Sequence, residues 1–340
     1  MVLYAPRRFG KTSLILKALQ LLEDKGFICI YFDFMPVFSI ESFVRLFTKA
    51  LATRQSNLQK FARTFSSVVK NIRPVLKIGF EGSYEFSIDI TRDRIDETDI
   101  SQILDILESL AGNNKRVLVF FDEFQEVEKL KEIHFEGLLR SKIQHQTRVN
   151  YLFFGSKNHM MQSMFNDKSR PFFNAASQMT IGYLPKEDTL TFLHDNFLKK
   201  NVALNTEIGA YIIEVTANIP YYIQQLASEI WLNIEENSSI TREIVDKCVS
   251  RIVTMKSDYF MEFFENQSVS KKQLLTALCT NGENIFSESY RRAYRLPSSA
   301  TLQRAEKGLV NDGVIDKAEG KHFITDPFFK IFLQHFVLGR

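Results

Sequence analysis

The sequence predicts an α/β fold, a parallel sheet with flanking helices, followed by a small helical domain and a C-terminal winged helix. Three observations predict it. The chain opens with a short apolar strand that runs into a glycine-containing loop and a helix; continuous apolar runs alternate with amphipathic segments as far as about residue 184; and three helices with a hairpin close the chain. The expected boundaries are 1–184, 185–264 and 265–340. A length of 340 residues supports this division, because single cores stop growing at about 250–300 residues.

Met1 to Tyr4 forms the first strand, and Lys11 to Lys25 carries Leu14, Ala18, Leu21 and Leu22 at helical spacing. Gly26 suits the end of that helix, and Phe27 to Phe32 reads as a second strand closed by Asp33. Ser42 to about Arg54 is amphipathic. Alternation from about Val75 to Ile90 predicts a β-hairpin insertion turning near Glu81-Gly82-Ser83. A helix over Ile100 to Ala111 ends at Gly112-Asn113-Asn114, before the apolar run Val117 to Phe121, which fits a parallel strand buried on both faces. A helix over His134 to His145 leads to a further buried strand, Val149 to Ser156. Beyond about Leu184 no strand is expected until the end; helices are expected over 186–198, 207–215, 220–235 and 241–264. The closing pattern has helices through Leu274 to Leu278, Ser287 to Tyr294 and Ser299 to Asp312. Val314-Ile315 and His322-Phe323-Ile324 then form a hairpin around Glu319-Gly320.

Composition excludes several classes. Lys plus Arg number 43 against 40 Asp plus Glu, so a charge of +3 announces neither a nucleic-acid nor a membrane protein, and any basic surface must be local. Three scattered cysteines, Cys29, Cys248 and Cys279, build neither a disulfide framework nor a CxxC metal site, which fits a reducing cytoplasm. The six histidines show no HxxxH or HExxH spacing. No apolar run approaches a membrane span of about 18 residues, and the first residues have no leader pattern. The 31 phenylalanines recur at core-like positions such as Phe43, Phe47, Phe192 and Phe197, which reads as packing.

The chemistry begins in the loop. Ala5-Pro6-Arg7-Arg8-Phe9-Gly10-Lys11-Thr12 fits a P-loop if alanine is accepted at the first position, and Ser13 continues it into the helix. Successive main-chain N–H groups and the helix N-terminus make a concave positive site. Gly10 permits close approach of phosphate, Lys11 adds a point charge, and Thr12 can ligate magnesium. Ala5 is tolerable only if its backbone stays outside the positive-φ region. Asp122 and Glu123 end the most apolar strand, where a carboxylate pair is costly unless it meets a cation and water. Asp122 is the expected magnesium residue, and Glu123 the expected base that orients and deprotonates the attacking water. Ser156 ends the next strand and is a candidate sensor of the terminal phosphate, unless Gly155-Ser156 is an ordinary turn or Lys157 senses instead. Arg170 is a candidate arginine finger, in cis or from a neighbouring subunit, or else a fold-stabilising arginine.

An ordered set of motifs extends this reading: Tyr4 to Ser13, Phe121-Asp122-Glu123-Phe124-Gln125, Phe154-Gly155-Ser156-Lys157, Arg170-Pro171-Phe172-Phe173, Ile219-Pro220-Tyr221-Tyr222 and Thr325-Asp326-Pro327-Phe328. On these motifs the chain resembles the archaeal-type P-loop ATPases of the STAND class, relatives of the AAA+ superfamily that are also common in bacteria. The resemblance covers nearly the whole length. It implies an ATPase core, a helical lid at 185–264 and a winged helix, with ATP and Mg²⁺ as cofactors, Asp122 and Glu123 as Walker B residues, and Ser156 in a sensor strand. The family normally has glycine where this chain has Ala5.

The winged-helix region 265–340 has 11 Lys plus Arg against 8 Asp plus Glu. On its third helix Leu302, Ala305 and Leu309 should face the core. Thr301, Gln303, Arg304 and Lys307, with Lys317 and Lys321 on the wing, are then left for DNA or for a protein partner. The expected function is an ATP-dependent regulatory switch. The alternatives are a nucleotide-dependent DNA-binding protein and an ATP-binding scaffold that does not hydrolyse, and an oligomer is compatible with each.

Overall fold

The computed structural model describes residues 1–339 except 56, 79–83, 91–94, 112–114, 132 and 319. The chain divides into two compact units, one of Met1–Arg7 and Lys11–Ile181, the other of Arg8–Gly10 and Gly182–Arg340.

In the first unit the order is β1 (Val2–Tyr4), α1 (Lys11–Asp24), β2 (Ile28–Asp33), α2 (Ile40–Thr53), α3 (Leu58–Val68), β3 (Ile72–Ile78), β4 (Tyr84–Ile90), α4 (Glu97–Ala111), β5 (Val117–Asp122), α5 (Phe135–His145), β6 (Val149–Gly155), α6 (Asn158–Asn166) and β7 (Gln178–Thr180). Five strands form one sheet in the order β2-β5-β6-β1-β7. Every pairing in it is parallel. Each strand therefore delivers its carboxyl end to the same edge, where ligands of such sheets gather.

Strand parity assigns the two faces. Val2, Ile30, Phe32, Val117, Val119, Phe121, Val149, Tyr151 and Phe153 enter one large core. Leu3, Cys29, Phe120 and Phe154 enter a smaller one with Ile15 and Leu19 of α1. The large core is built from rings: Phe121 lies within 6.2 Å of Phe32 and 5.2 Å of Phe34, centroid to centroid. Phe153 approaches Phe124 to 4.6 Å. Such tilted and edge-on arrangements suit aromatic quadrupoles.

Several expectations need correction. Helix α1 buries Ile15 and Leu19, while Leu14 and Leu21 are half exposed, so its inward face is rotated by one residue from the one read off the sequence. Phe192 is 53% exposed, although Phe43, Phe47 and Phe197 are core residues. Strand β7 was not anticipated; its residues, Gln178, Met179 and Thr180, are all exposed and carry no apolar run. Helices α3 and α6 also escaped, although Asn57 caps α3 and Phe61 and Phe65 bury its inner face at helical spacing. The antiparallel hairpin β3–β4 is present from Ile72 to Ile90. The turn expected near Glu81-Gly82-Ser83 and the helix end at Gly112-Asn113-Asn114 lie outside the described residues.

In the second unit the helices are α7 (Lys186–Leu198), α8 (Thr206–Val215), α9 (Pro220–Asn233), α10 (Arg242–Met255), α11 (Ser257–Glu265), α12 (Val269–Leu278), α13 (Glu288–Ala293) and α14 (Ser299–Asn311). The strands β8 (Ile315–Ala318) and β9 (Lys321–Ile324) follow, then α15 (Pro327–Phe332) and a π-turn at Leu333–Val337. The single helix expected over 241–264 is two, because the chain leaves helical geometry at Lys256, φ −105° and ψ 2°. Three helices and the antiparallel β8–β9 pair make the winged helix. One core runs through both parts of the unit, from Leu193 and Tyr222 to Leu302, Phe328 and Leu333. Leu302, Ala305 and Leu309 are the buried face of α14, as its spacing predicts.

Candidate functional site

The turn between β1 and α1 is shaped for an anion. Gly10 holds φ +76°, a conformation that L side chains rarely adopt, and an added Cβ there would meet open space, so it is the backbone angle that asks for glycine. Arg8 takes a positive φ of 71° without being glycine, whereas Ala5 lies outside that region and is fully buried, so its methyl is accommodated. Helix α1 begins at Lys11, leaving its first N–H groups without intrahelical partners. Pro6 is partly exposed, and Arg7, Thr12 and Ser13 are exposed at this end. Arg8, Phe9 and Gly10 belong to the second unit. There the Arg8 guanidinium pairs with Asp326 at 3.1 Å and lies 5.0 Å from the Tyr222 ring centre, and Phe9 meets the Tyr183 ring at 5.1 Å.

Lys11 is 8% exposed, and its ammonium lies 3.9 Å from Glu123 Oε1 and 5.7 Å from the centre of the Phe154 ring. Burial depresses its pKa, and the charges of Glu123 and Asp122 only partly restore it. Asp122 is buried by parity: it continues the face of Phe120, where Tyr31 of β2 and Phe154 also lie. The Tyr31 hydroxyl donates to Asp122 Oδ2 at 2.6 Å, and the Glu123 amide donates to Oδ1 at 2.8 Å. Burial raises the Asp122 carboxyl, against the pull of the Tyr31 hydrogen bond and of Lys11.

Glu123 leaves the strand in the left-handed region, φ 49° and ψ 41°, and this kink aims its carboxylate away from the strand parity. Three donors converge on Oε2: Ser156 N at 3.1 Å, Ser156 Oγ at 2.8 Å and Gln125 Nε2 at 2.5 Å. Burial pushes the Glu123 carboxyl up, but Gln125, the Ser156 amide, Lys11 and the Ser156 hydroxyl together hold it below its ordinary value. The sheet order explains the meeting, since β6 lies between β1 and β5 and delivers Ser156 between them. Gln125 itself is fully buried, and its Oε1 has no partner among the described residues. Leaving such a carbonyl unpaired costs about 1–3 kcal/mol.

The structure thus brings Lys11, Asp122, Glu123 and Ser156 together. It does not bring Arg170. That guanidinium pairs with Glu128 at 2.7 Å and with Glu136 at 2.9 Å, and the Glu136 contact ties the segment after α6 to the start of α5. Lys157 is likewise engaged, by the buried Glu126 at 3.0 Å. Sequence reading gave no role to Tyr31 or Gln125. The available signal was a hydroxyl-bearing side chain inside the apolar run 27–32, and a glutamine directly after Asp-Glu-Phe.

A parallel sheet with flanking helices, a glycine turn opening onto a helix, and a lysine facing two strand-end carboxylates define a P-loop ATPase fold. Residues 1–226 match the family described as an ATPase domain predominantly from Archaea, and the chain belongs to that family. Residues 258–335 match a probable winged helix domain. A relative from Pyrococcus horikoshii, an uncharacterized ATP-binding protein, is 26% identical over 284 residues, 80% of each chain. Among solved structures, the Walker-type ATPase of Pyrococcus abyssi superposes with a TM-score of 0.66 at 17% identity, covering 98% of this chain and 90% of that one. The ORC2 protein of Aeropyrum pernix, in ADPNP–ADP complexes, gives 0.52 at 13% identity over 99% and 88%. At these identities the likeness shows the fold alone.

Proposed function

We propose that the protein binds ATP with magnesium at the β1–α1 turn and hydrolyses it slowly, as a regulatory switch. The observation that carries this reading is the convergence of Lys11 and Glu123 at 3.9 Å, with Asp122 buried beside them. Two acids and a base are expensive to bury and have no packing role, so their placement at the ligand edge of a parallel sheet favours polyphosphate chemistry.

The residues fit a magnesium ion. Mg²⁺ is bound through one or two carboxylates plus substrate phosphates and water, and Asp122 with the Thr12 hydroxyl supplies the hard oxygens. Both Asp122 oxygens already accept hydrogen bonds, which suits contact through water. When bound, the ion would neutralise charge on the phosphate oxygens. Lys11 would add its charge to the main-chain donors of Pro6 to Ser13, and Glu123 Oε1 would accept the proton of the attacking water. Ser156 reaches Glu123 through two hydrogen bonds, so a phosphate that drew the hydroxyl away would change the base; this gives Ser156 its sensing role. Residues 185–264 and 265–340 would act as lid and output.

The test is calorimetric titration of ATP with magnesium, followed by single-turnover phosphate release. Wild type binds and hydrolyses, Lys11→Ala loses most affinity, and Glu123→Gln binds but turns over far more slowly. Equal hydrolysis by Glu123→Gln and wild type would falsify the assigned base. Binding without phosphate release in the wild type would leave a scaffold instead.

One observation favours DNA as the output partner. Gln303, Arg304 and Lys307 of α14, with Lys317 and Lys321 of the wing, are exposed and face no core. Salt-sensitive binding of duplex DNA, weakened by Arg304→Ala with Lys307→Ala, would support this. Absence of binding at low salt would turn the output toward a protein partner.

A further inference from the structure

Gln125 is a buried polar side chain that packing alone does not explain. It lies on the 3₁₀ turn Phe124–Lys129 that follows β5, and none of its surface is exposed. Its amide nitrogen donates to Glu123 Oε2 at 2.5 Å and approaches Glu126 Oε1 only at 3.5 Å. Its amide oxygen has no partner among the described residues. Turning the amide over would set that oxygen against the Glu123 carboxylate, so donor and acceptor logic fixes the orientation.

The opposite wall is Gly155, at the end of β6. A Cβ built there would lie 1.8 Å from Gln125 Oε1 and 3.0 Å from its Cδ. Gly155 is not among the positive-φ glycines, so space and not backbone angle asks for glycine at this position. The chain therefore spends two unusual features on one amide: a missing side chain on β6 and an unpaired buried carbonyl. Both serve the amide whose shortest contact is the one to Glu123.

We propose that Gln125 is a positioning residue for Glu123: seated in the space left by Gly155, its amide joins Ser156 in holding Oε2 toward β6 and thereby leaves Oε1 as the oxygen turned to Lys11 and to water. The assignment rests on the reading of Glu123 as the base. It also gives Gly155 a reason beyond ending a strand.

The test uses the full chain carrying Gln125→Met, which keeps the length of the side chain and deletes both the donor and the orphan acceptor. A merely structural glutamine would show its loss as destabilisation. The proposal expects the reverse pattern: a denaturant midpoint equal to or above that of wild type, ATP affinity within about twofold, and single-turnover hydrolysis lower by about 10-fold or more. In a Glu123→Gln background the same change should add little, because the partner it positions is gone. In the nucleotide-free protein, ¹⁵N-glutamine labelling should show one side-chain NH₂ pair that is protected from exchange, vanishes in Gln125→Met, and shifts in Glu123→Gln. Gly155→Ala provides a second route, since its methyl displaces the amide while leaving both partners in the chain, and hydrolysis should fall with affinity kept. Full hydrolysis by Gln125→Met beside an inactive Glu123→Gln protein overturns the positioning role and leaves the base in place. An equal loss in the Glu123→Gln background overturns it as well, while full hydrolysis by Glu123→Gln alone removes the base reading itself.

Discussion

The carboxyl edge of the parallel sheet and the exposed face of the winged helix treat polar side chains in opposite ways. At the sheet edge Lys11, Asp122 and Gln125 are buried, and they and Glu123 are held by specific partners. On α14 and the wing Gln303, Arg304, Lys307 and Lys317 are exposed, and the region alternates them with acids. Burial turns a charge into a commitment, because desolvation must be repaid by geometry. Exposure leaves a charge free to serve several partners or none. The first region therefore points to a reaction, the second only to a kind of surface.

The largest expected effect breaks the comparison at its chemical end. Glu123→Gln should lower single-turnover hydrolysis by about 10²–10⁴-fold, the usual contribution of a general base, with ATP affinity retained. Next is the support beneath it. Phe121 is fully buried among Phe32, Phe34, Phe124 and Phe153, so Phe121→Ala should cost about 3–5 kcal/mol in urea unfolding, and a cost below 1 kcal/mol would deny that the ring cluster braces the site. Lys11→Ala should weaken ATP binding by about 10–100-fold, as loss of a charge-assisted contact does, measured by calorimetry.

The thiols put the two units on one scale. Burial pushes Cys279 in the second unit and Cys29 in the first up to about 11, from an ordinary 9.0. With a raised folded pKa, the unfolded chain loses its proton first, so stability is full below pH 9 and falls as pH rises toward about 11. The ceiling is roughly 2–3 kcal/mol for each thiol. Unfolding of Cys279→Ala across that window should show a shallower decline than wild type; an unchanged slope would remove Cys279 from the account. The smallest expected effect lies on α14: Arg304→Ala with Lys307→Ala should leave stability within about 0.5 kcal/mol. If the surface meets DNA, the pair should reduce the salt slope of binding by up to about 2.

Much of this was legible in the chain. Val117 to Phe121 reads as a doubly buried strand because every residue is apolar, and the acids that end it announce an edge with polar work to do. The wing and the buried face of α14 were equally plain. Less legible was α1, where leucines occupy several faces and periodicity alone does not say which packs, and β7, whose short polar strand owes its place to pairing with β1. Arg170 shows the limit most clearly. A lone arginine has no periodicity, and only the fold brings Glu128 and Glu136 to it.

By itself the sequence determined the alternating strands and helices, the glycine turn before α1 and the strand-ending Asp122-Glu123, because each depends on neighbours within a few residues. Tertiary structure alone decided that β6 lies between β1 and β5, that Ser156 and Gln125 meet on one oxygen of Glu123, and that Gly155 makes room for Gln125. The Ser156–Glu123 contact joins residues 33 positions apart, and Gly155 meets Gln125 across a similar separation, while only the Gln125–Glu123 contact is local. No local pattern encodes them: strand order is set by which crossovers bury the most apolar surface, and that is a property of the whole sheet.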